Sequence, residues 1–343
     1  MRGRGSRPRR DKEIPNVPII DVHNHYYPPA YIDALRSGQS SVQVTIDGEG
    51  NPRLHYPGDY NIAVRGHRDI DYREGVLKVA GVDTQVISLT TPGTHVESPA
   101  NAARLASLVN DAFARVVSDK RGRFAAYATL PLNDPAASVR ELERACTQLG
   151  MPGAMLFSNV NGVALADPRY TALYEAANSL DAVLHIHPTA PVGVEAMTDY
   201  WLMPLVGFLM DTTLAAAKLV FAGVPEKFPR IRWVLGHLGG AIPYLAERLD
   251  RGFHAFSECR ANINRPPSDY LKRFYFDTVN FDRNALMLAI AFAGADHILA
   301  GSDYPHKIGS IPSMLSAIGS LPISDSDRAK ILGGNASRLY HLK

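Results

Sequence analysis

Ile19-Ile20-Asp21-Val22-His23-Asn24-His25 is an apolar, β-prone run that ends in two imidazoles spaced by two. Side chains along a strand repeat every two residues, so both rings project from one face and can close on a single metal ion. Two nitrogens do not complete a metal site. The fold therefore follows from whether further ligands stand at the ends of other strands, and how many such strands the chain contains.

Seven more short β-prone runs follow, at 84–90, 124–130, 153–158, 182–187, 231–237, 274–279 and 297–302, which with 18–24 makes eight. Helical patterns alternate with them near 70–80, 99–118, 135–149, 168–179, 204–221, 243–256, 283–293 and 310–319, and a helical pair follows Ser324. Eight strand–helix units in alternation predict an α/β fold of the closed (β/α)8 TIM-barrel type, within one domain over 15–343. The rhythm breaks between about 36 and 66. There Ser41-Val42-Gln43-Val44-Thr45-Ile46 and Arg53-Leu54-His55-Tyr56 flank Asp47-Gly48-Glu49-Gly50-Asn51, which predicts a β-hairpin inserted after strand 1 and laid over one end of the barrel.

Composition agrees with a soluble globular protein: 343 residues, 46% hydrophobic and 20% charged, can bury a substantial core. The formal net charge of +2 gives no drive toward nucleic acid or a membrane. Some of the positive charge sits in Met1-Arg2-Gly3-Arg4-Gly5-Ser6-Arg7-Pro8-Arg9-Arg10, so residues 1–14 read as a solvated, disordered basic arm. Cys146 and Cys259 are too few for a disulfide framework and suit a reducing, cytoplasmic setting. The longest apolar stretch, Val206 to Gly223, contains Asp211 and Lys218 and reads as a buried helix rather than a membrane span.

Barrel enzymes of this kind carry their chemistry at the C-terminal ends of strands. His23 and His25 end strand 1, His187 ends strand 5 in Leu184-His185-Ile186-His187-Pro188, and Asp303 follows strand 8 in Gly301-Ser302-Asp303-Tyr304-Pro305. Three imidazoles and a carboxylate suit zinc, with manganese as the alternative, and leave a position for water or substrate. His185 shares the parity of His187. It lies deeper, and the proline after His187 holds that residue extended at the strand end, so His187 is assigned as ligand and His185 as support behind the ligands.

With these motifs in place the chain resembles the amidohydrolase superfamily, and within it the decarboxylases typified by 2-amino-3-carboxymuconate 6-semialdehyde decarboxylase. The resemblance rests on Asp21-Val22-His23-Asn24-His25, Ile186-His187-Pro188, Gly236-His237-Leu238-Gly239-Gly240 and Gly301-Ser302-Asp303-Tyr304-Pro305, in that order, within a span from Ile19 to Leu342. It implies a metal-dependent, non-oxidative decarboxylation, with hydrolysis or hydration on the same scaffold as the alternative, and a homodimer.

The resemblance also implies that His237 is the acid–base residue beside the metal, sharing the catalytic work with Asp303. Arg65, or its neighbour Arg68, approximately matches an arginine that holds the substrate carboxylate; Trp201, in Tyr200-Trp201, lines the pocket with His306; and Asp277 orients His237 or a ligand histidine. Binuclear relatives bridge two metals with a carboxylated lysine. No lysine occurs between Lys120 and Lys218, so one divalent ion is expected. Phe256 stands where the prototype has a second, partner-supplied arginine, which favours an aromatic or enolic monocarboxylic acid as the small-molecule substrate.

Overall fold

The computed structural model describes residues 17–56 and 59–342. The arginine-rich arm lies outside the described residues.

β1 (Ile20–His25) opens the barrel, and the insertion supplies β2 (Gln43–Ile46), β3 (Pro52–Tyr56) and β4 (Asp59–Ile62). The barrel continues with β5 (Thr84–Ser88), β6 (Phe124–Ala126), β7 (Ala128–Thr129) and β8 (Gly153–Phe157). A short antiparallel pair, β9 (Asn159–Val160) and β10 (Val163–Ala164), precedes β11 (Val183–His187), β12 (Arg232–Leu235), β13 (Tyr275–Asp277) and β14 (Ile298–Leu299). β6 and β7 are one stave interrupted at Tyr127, so the eight expected strands are all present.

Parallel pairing runs β1-β5-β6 on one side of that break and β7-β8-β11-β12-β13-β14 on the other. The ring closes through Val22 N–H to the Ala300 carbonyl (2.9 Å), Ser302 N–H to the His23 carbonyl (3.2 Å) and a parallel bridge from Asn24 to Tyr304. The structure is thus a (β/α)8 barrel with helices outside. Its strands are buried on both faces, as interior staves of a parallel barrel must be.

Local chemistry explains where the helices start and stop. Asp69 caps Ile70–Ala80 by accepting from Tyr72 N–H, and Asp134 caps Pro135–Thr147 by accepting from Ala137 N–H, with proline at the tolerant first position. Gly81, with φ of 75°, ends the first of these in the left-handed conformation.

Two expectations change. The insertion is a three-stranded antiparallel sheet, β2-β3-β4, rather than a hairpin, because Asp59-Tyr60-Asn61-Ile62 pairs in register with β3 and makes Arg53 part of a central strand. The apolar helix Phe208–Phe221 is buried on one face only. Asp211 turns inward to accept from Ser158 and Asn159, while Leu205, Val206, Met210 and Leu214 stay exposed. By length and composition alone Asp199–Phe221 could cross a membrane, but one side of it packs on the barrel.

Candidate metal centre and active site

The ends of β1, β11, β12, β13 and the loop after β14 converge on one buried cluster. Ligand-type atoms of His23, His187, His237 and Asp303 lie within 4.8 Å of one another, and those of His25, Asp303 and His306 form an overlapping group on the other side of Asp303. His25 Nε2 lies 3.1 Å and His23 Nε2 3.5 Å from Asp303 Oδ1.

Hydrogen bonds on the far nitrogens set the tautomers. His23 Nδ1–H donates to Asp277 (2.5 Å), His25 Nδ1–H to Ser88 Oγ (3.1 Å) and His187 Nδ1–H to the Pro188 carbonyl (2.7 Å). Each ring then turns an unprotonated Nε2 toward the cluster. The buried His23 Nε2 has no hydrogen-bond partner. A lone pair without a donor, beside a carboxylate and two further imidazole lone pairs, is a set of acceptors that fits a cation, so these four residues fit a divalent metal ion.

Electrostatics favour the neutral ring at two of the three ligand histidines. Burial holds the His25 and His187 imidazoles well below their ordinary pKa, so both are neutral and able to ligate at neutral pH. Burial opposes the His23 imidazolium as well, but the Asp277 charge and hydrogen bond outweigh it and raise that pKa. Burial alone would raise the carboxyl of Asp303, yet the surrounding histidines, His237 first among them, hold it well below its ordinary value and keep it ionised.

Asp277 has a second task. Its carboxylate accepts from the backbone N–H groups of His237 (3.1 Å) and Leu238 (2.9 Å), two non-glycine residues with φ of 52° and 56°. Such left-handed conformations cost about 1–3 kcal/mol each unless the surroundings impose them. Asp277 imposes them, which turns the His237 ring to the cluster, its Nε2 3.8 Å from Asp303 Oδ2. Close packing finishes the arrangement: a Cβ on Gly301 would come within 2.9 Å of the His23 Cβ and 3.0 Å of the Asp277 Cβ.

His185 lies behind the ligands, fully buried, its ring centroid 5.1 Å from those of both His23 and Tyr127. Burial pushes its pKa down to about 3. Beneath the site, Asp21 accepts from Ser302 Oγ (2.6 Å) and Gln85 (2.7 Å), while buried Arg73 donates to Asn24 (2.9 Å), Gln85 (3.0 Å) and the His25 carbonyl. This network ties β1 and β5 to the loop carrying Asp303. Neither Asp21 nor Arg73 was singled out as functional in the sequence, because their partners are up to 281 residues away.

The cluster opens into a cavity of about 700 Å³ roofed by the inserted sheet and walled in part by His67, Thr90, His187, Trp201, His237, Asp303 and His306. Trp201 stands at its rim, 57% exposed, with its ring edge on Tyr60. Arg65 does not reach it. It points to solvent, pairs with Asp69 at 2.9 Å and stacks on Tyr72, because its place at the start of the Arg65–Arg68 turn faces outward; Arg68 is spent on the Ala63 carbonyl and Asn51. The cations in the cavity wall are Arg53, set over the Tyr60 ring from β3, and Lys307. Sequence reasoning missed Arg53 because it treated the insertion as a cover rather than a wall.

The amidohydrolase family model matches residues 20–342. The chain belongs to the amidohydrolase family. It is 35% identical over 325 residues to 2-amino-3-carboxymuconate-6-semialdehyde decarboxylase of Dictyostelium discoideum, covering 92% of this chain and 90% of that protein. Among solved structures it resembles 5-carboxyvanillate decarboxylase from Sphingomonas paucimobilis, with a TM-score of 0.85 and 27% identity over 96% of this chain and all of that one. It also resembles a dihydroxybenzoic acid decarboxylase from Polaromonas sp. JS666 with bound manganese and the inhibitor 2-nitroresorcinol, with a TM-score of 0.80 and 26% identity over 95% of this chain and 97% of that one.

Proposed function

We propose that this member of the amidohydrolase family is a metal-dependent, non-oxidative decarboxylase of a hydroxybenzoate-like aromatic or carboxymuconate-like enolic acid. The observation that carries the reading is the buried convergence of His23, His187, His237 and Asp303, joined through Asp303 by His25, at the floor of a cavity sized for a small ring, in a chain whose relatives are decarboxylases. When bound, the divalent ion supplies positive charge that holds and polarises the oxygens of an anionic substrate. His23, His25, His187 and Asp303 would hold it. The donor set suits zinc, and manganese, found in a relative, is its competitor.

The protein's own groups do the rest. Arg53 and Lys307 take the part first expected of Arg65 and draw the carboxylate into the cavity. Tyr60 and Trp201 cover the ring and limit water at the mouth. His237 Nε2, beside Asp303, delivers a proton to the carbon that bears the carboxylate; the bond from that carbon to the carboxylate breaks, carbon dioxide leaves, and ring unsaturation is restored. Asp303 ligates and steadies the protonated His237.

Homodimerisation fits the exposed face formed by Leu205, Val206, Met210 and Leu214, which repeat at helical spacing next to the cavity rim. A cytoplasmic location fits the two cysteines, both free thiols. The test is carbon dioxide release from a panel of hydroxybenzoates by metal-loaded protein, run beside ring opening of lactones. Lactone turnover without any carbon dioxide release would replace the reading with hydrolysis.

A further inference from the structure

Three polar side chains in the cavity wall stand outside the assigned ligand set, His23, His25, His187 and Asp303, and outside the proton transfer. His67, from the short Arg65–Arg68 helix, is 1% exposed, and neither of its ring nitrogens has a hydrogen-bond partner. Thr90, two residues beyond the Ser88 that fixes His25, is equally buried with an unpaired hydroxyl. His306 links them to the metal end: its ring centroid is 5.0 Å from that of His67 and 5.0 Å from that of His25. All three line the cavity.

Buried polar atoms without partners cost stability, and in the wall of a cavity a bound ligand can complete their bonds. His237 adjoins the cluster from the side of His23 and His187, whereas His306 and His67 extend it past His25. The site therefore has a proton-transfer flank and a separate flank of unpaired imidazole and hydroxyl groups. An imidazole and a threonine hydroxyl each both donate and accept, the complement of a hydroxyl rather than of a methyl or a bare ring edge.

We propose that His67, Thr90 and His306 form a recess that reads a hydroxyl substituent on the substrate ring, next to the position held at the metal, so that the preferred substrates are acids carrying a second hydroxyl. The inference deepens the decarboxylase reading and rests on it for the substrate class. A site built to bond a hydroxyl discriminates strongly against the analogue that lacks it, because the wall groups are then left unpaired.

The test is binding of 2-nitroresorcinol and 2-nitrophenol, which differ by one ring hydroxyl, to manganese-loaded protein by calorimetry. Wild type is expected to prefer the dihydroxy compound by about tenfold, the worth of one or two hydrogen bonds. H67L and T90V bring that ratio toward one, while H67Q, which keeps a donor and an acceptor, holds it within about threefold of wild type. T90V, nearly isosteric, keeps the test decisive if H67L fails to fold. A wild-type ratio of one, or a ratio unchanged in H67L and T90V while their melting temperatures fall, overturns the recess and leaves these residues structural. Two metal ions per chain, dropping to one in H67L, would overturn it in favour of a second metal site. Binding needs no turnover, so absence of carbon dioxide release sinks the decarboxylase reading without deciding this one.

Discussion

Replacing Asp277 by asparagine tests the geometry on which the metal centre depends, because it changes one oxygen to an NH2 group at nearly constant volume. Asp277 Oδ1 accepts from the N–H groups of Leu238 and Val279, both at 2.9 Å, and Oδ2 accepts from His23 Nδ1–H and His237 N–H. Asparagine can keep the first pair with its carbonyl oxygen. Its NH2 then faces two donors. His23 can relieve the clash only by moving its proton to Nε2, which removes the lone pair aimed at the metal, and the His237 N–H is left unpaired in a buried site.

Loss of a carboxylate that orients a ligand histidine costs 10–100-fold in metal affinity, with the tautomer change pushing toward the upper figure. The orphaned His237 N–H adds about 2 kcal/mol of destabilisation, and the left-handed turn it held is loosened. Metal affinity is read by competition with a chelator of known strength, and stability by thermal melting of metal-free protein. Affinity within threefold of wild type in a D277N protein that folds would refute the tautomer argument and with it the assignment of His23 Nε2 as a ligand.

The other predictions are independent of that one. H237Q should retain stoichiometric metal yet lose ~10²–10⁴ in kcat, as measured by carbon dioxide release; loss of metal as well would make His237 a ligand. R53M should raise KM for the acid by about tenfold with kcat nearly kept, R53K should fall between, and R65M should leave both constants unchanged in the same assay. Gly301→Ala should abolish metal binding or folding, as seen in metal analysis and melting, since its Cβ meets the Cβ atoms of His23 and Asp277 within 3.0 Å.

Stability of the metal-free protein should fall with acidity: His185 is pushed down to about 3 and His95 to about 4, and His67, His25 and His187 are also lowered by burial. The unfolded chain then binds more protons as pH drops below the ordinary imidazole value of 6.5, so stability held above that pH is lost on the way to about 4. His23, raised by Asp277, contributes with the opposite sign and is outnumbered. Melting temperatures that stay level from neutral pH to pH 4 would contradict this.

The alternation of β-prone and helical runs is a local property, written in side-chain period and in caps such as Asp69 and Asp134, so the eight staves and the ends where ligands stand were legible from the chain alone. The parity of His23 and His25 and the position of His187 before a proline are local as well. They placed the candidate ligands before any contact was known.

Direction and partnership are not local. Whether Arg65 or Arg53 faces the cavity depends on how the inserted sheet sits over the barrel, and β4 became visible only through its register with β3. The pairing of His23 with Asp277 joins residues 254 apart. The unpaired nitrogens of His67 exist only because a one-turn helix is pressed against the loop carrying His306. Sequence period determines which face of a strand or helix a residue occupies, so it specified the barrel and its metal-bearing rim. The fold alone decides what stands opposite that face, and so it decided which cations face the cavity, the hydrogen-bond partners of the ligand histidines and the unpaired polar groups in the cavity wall.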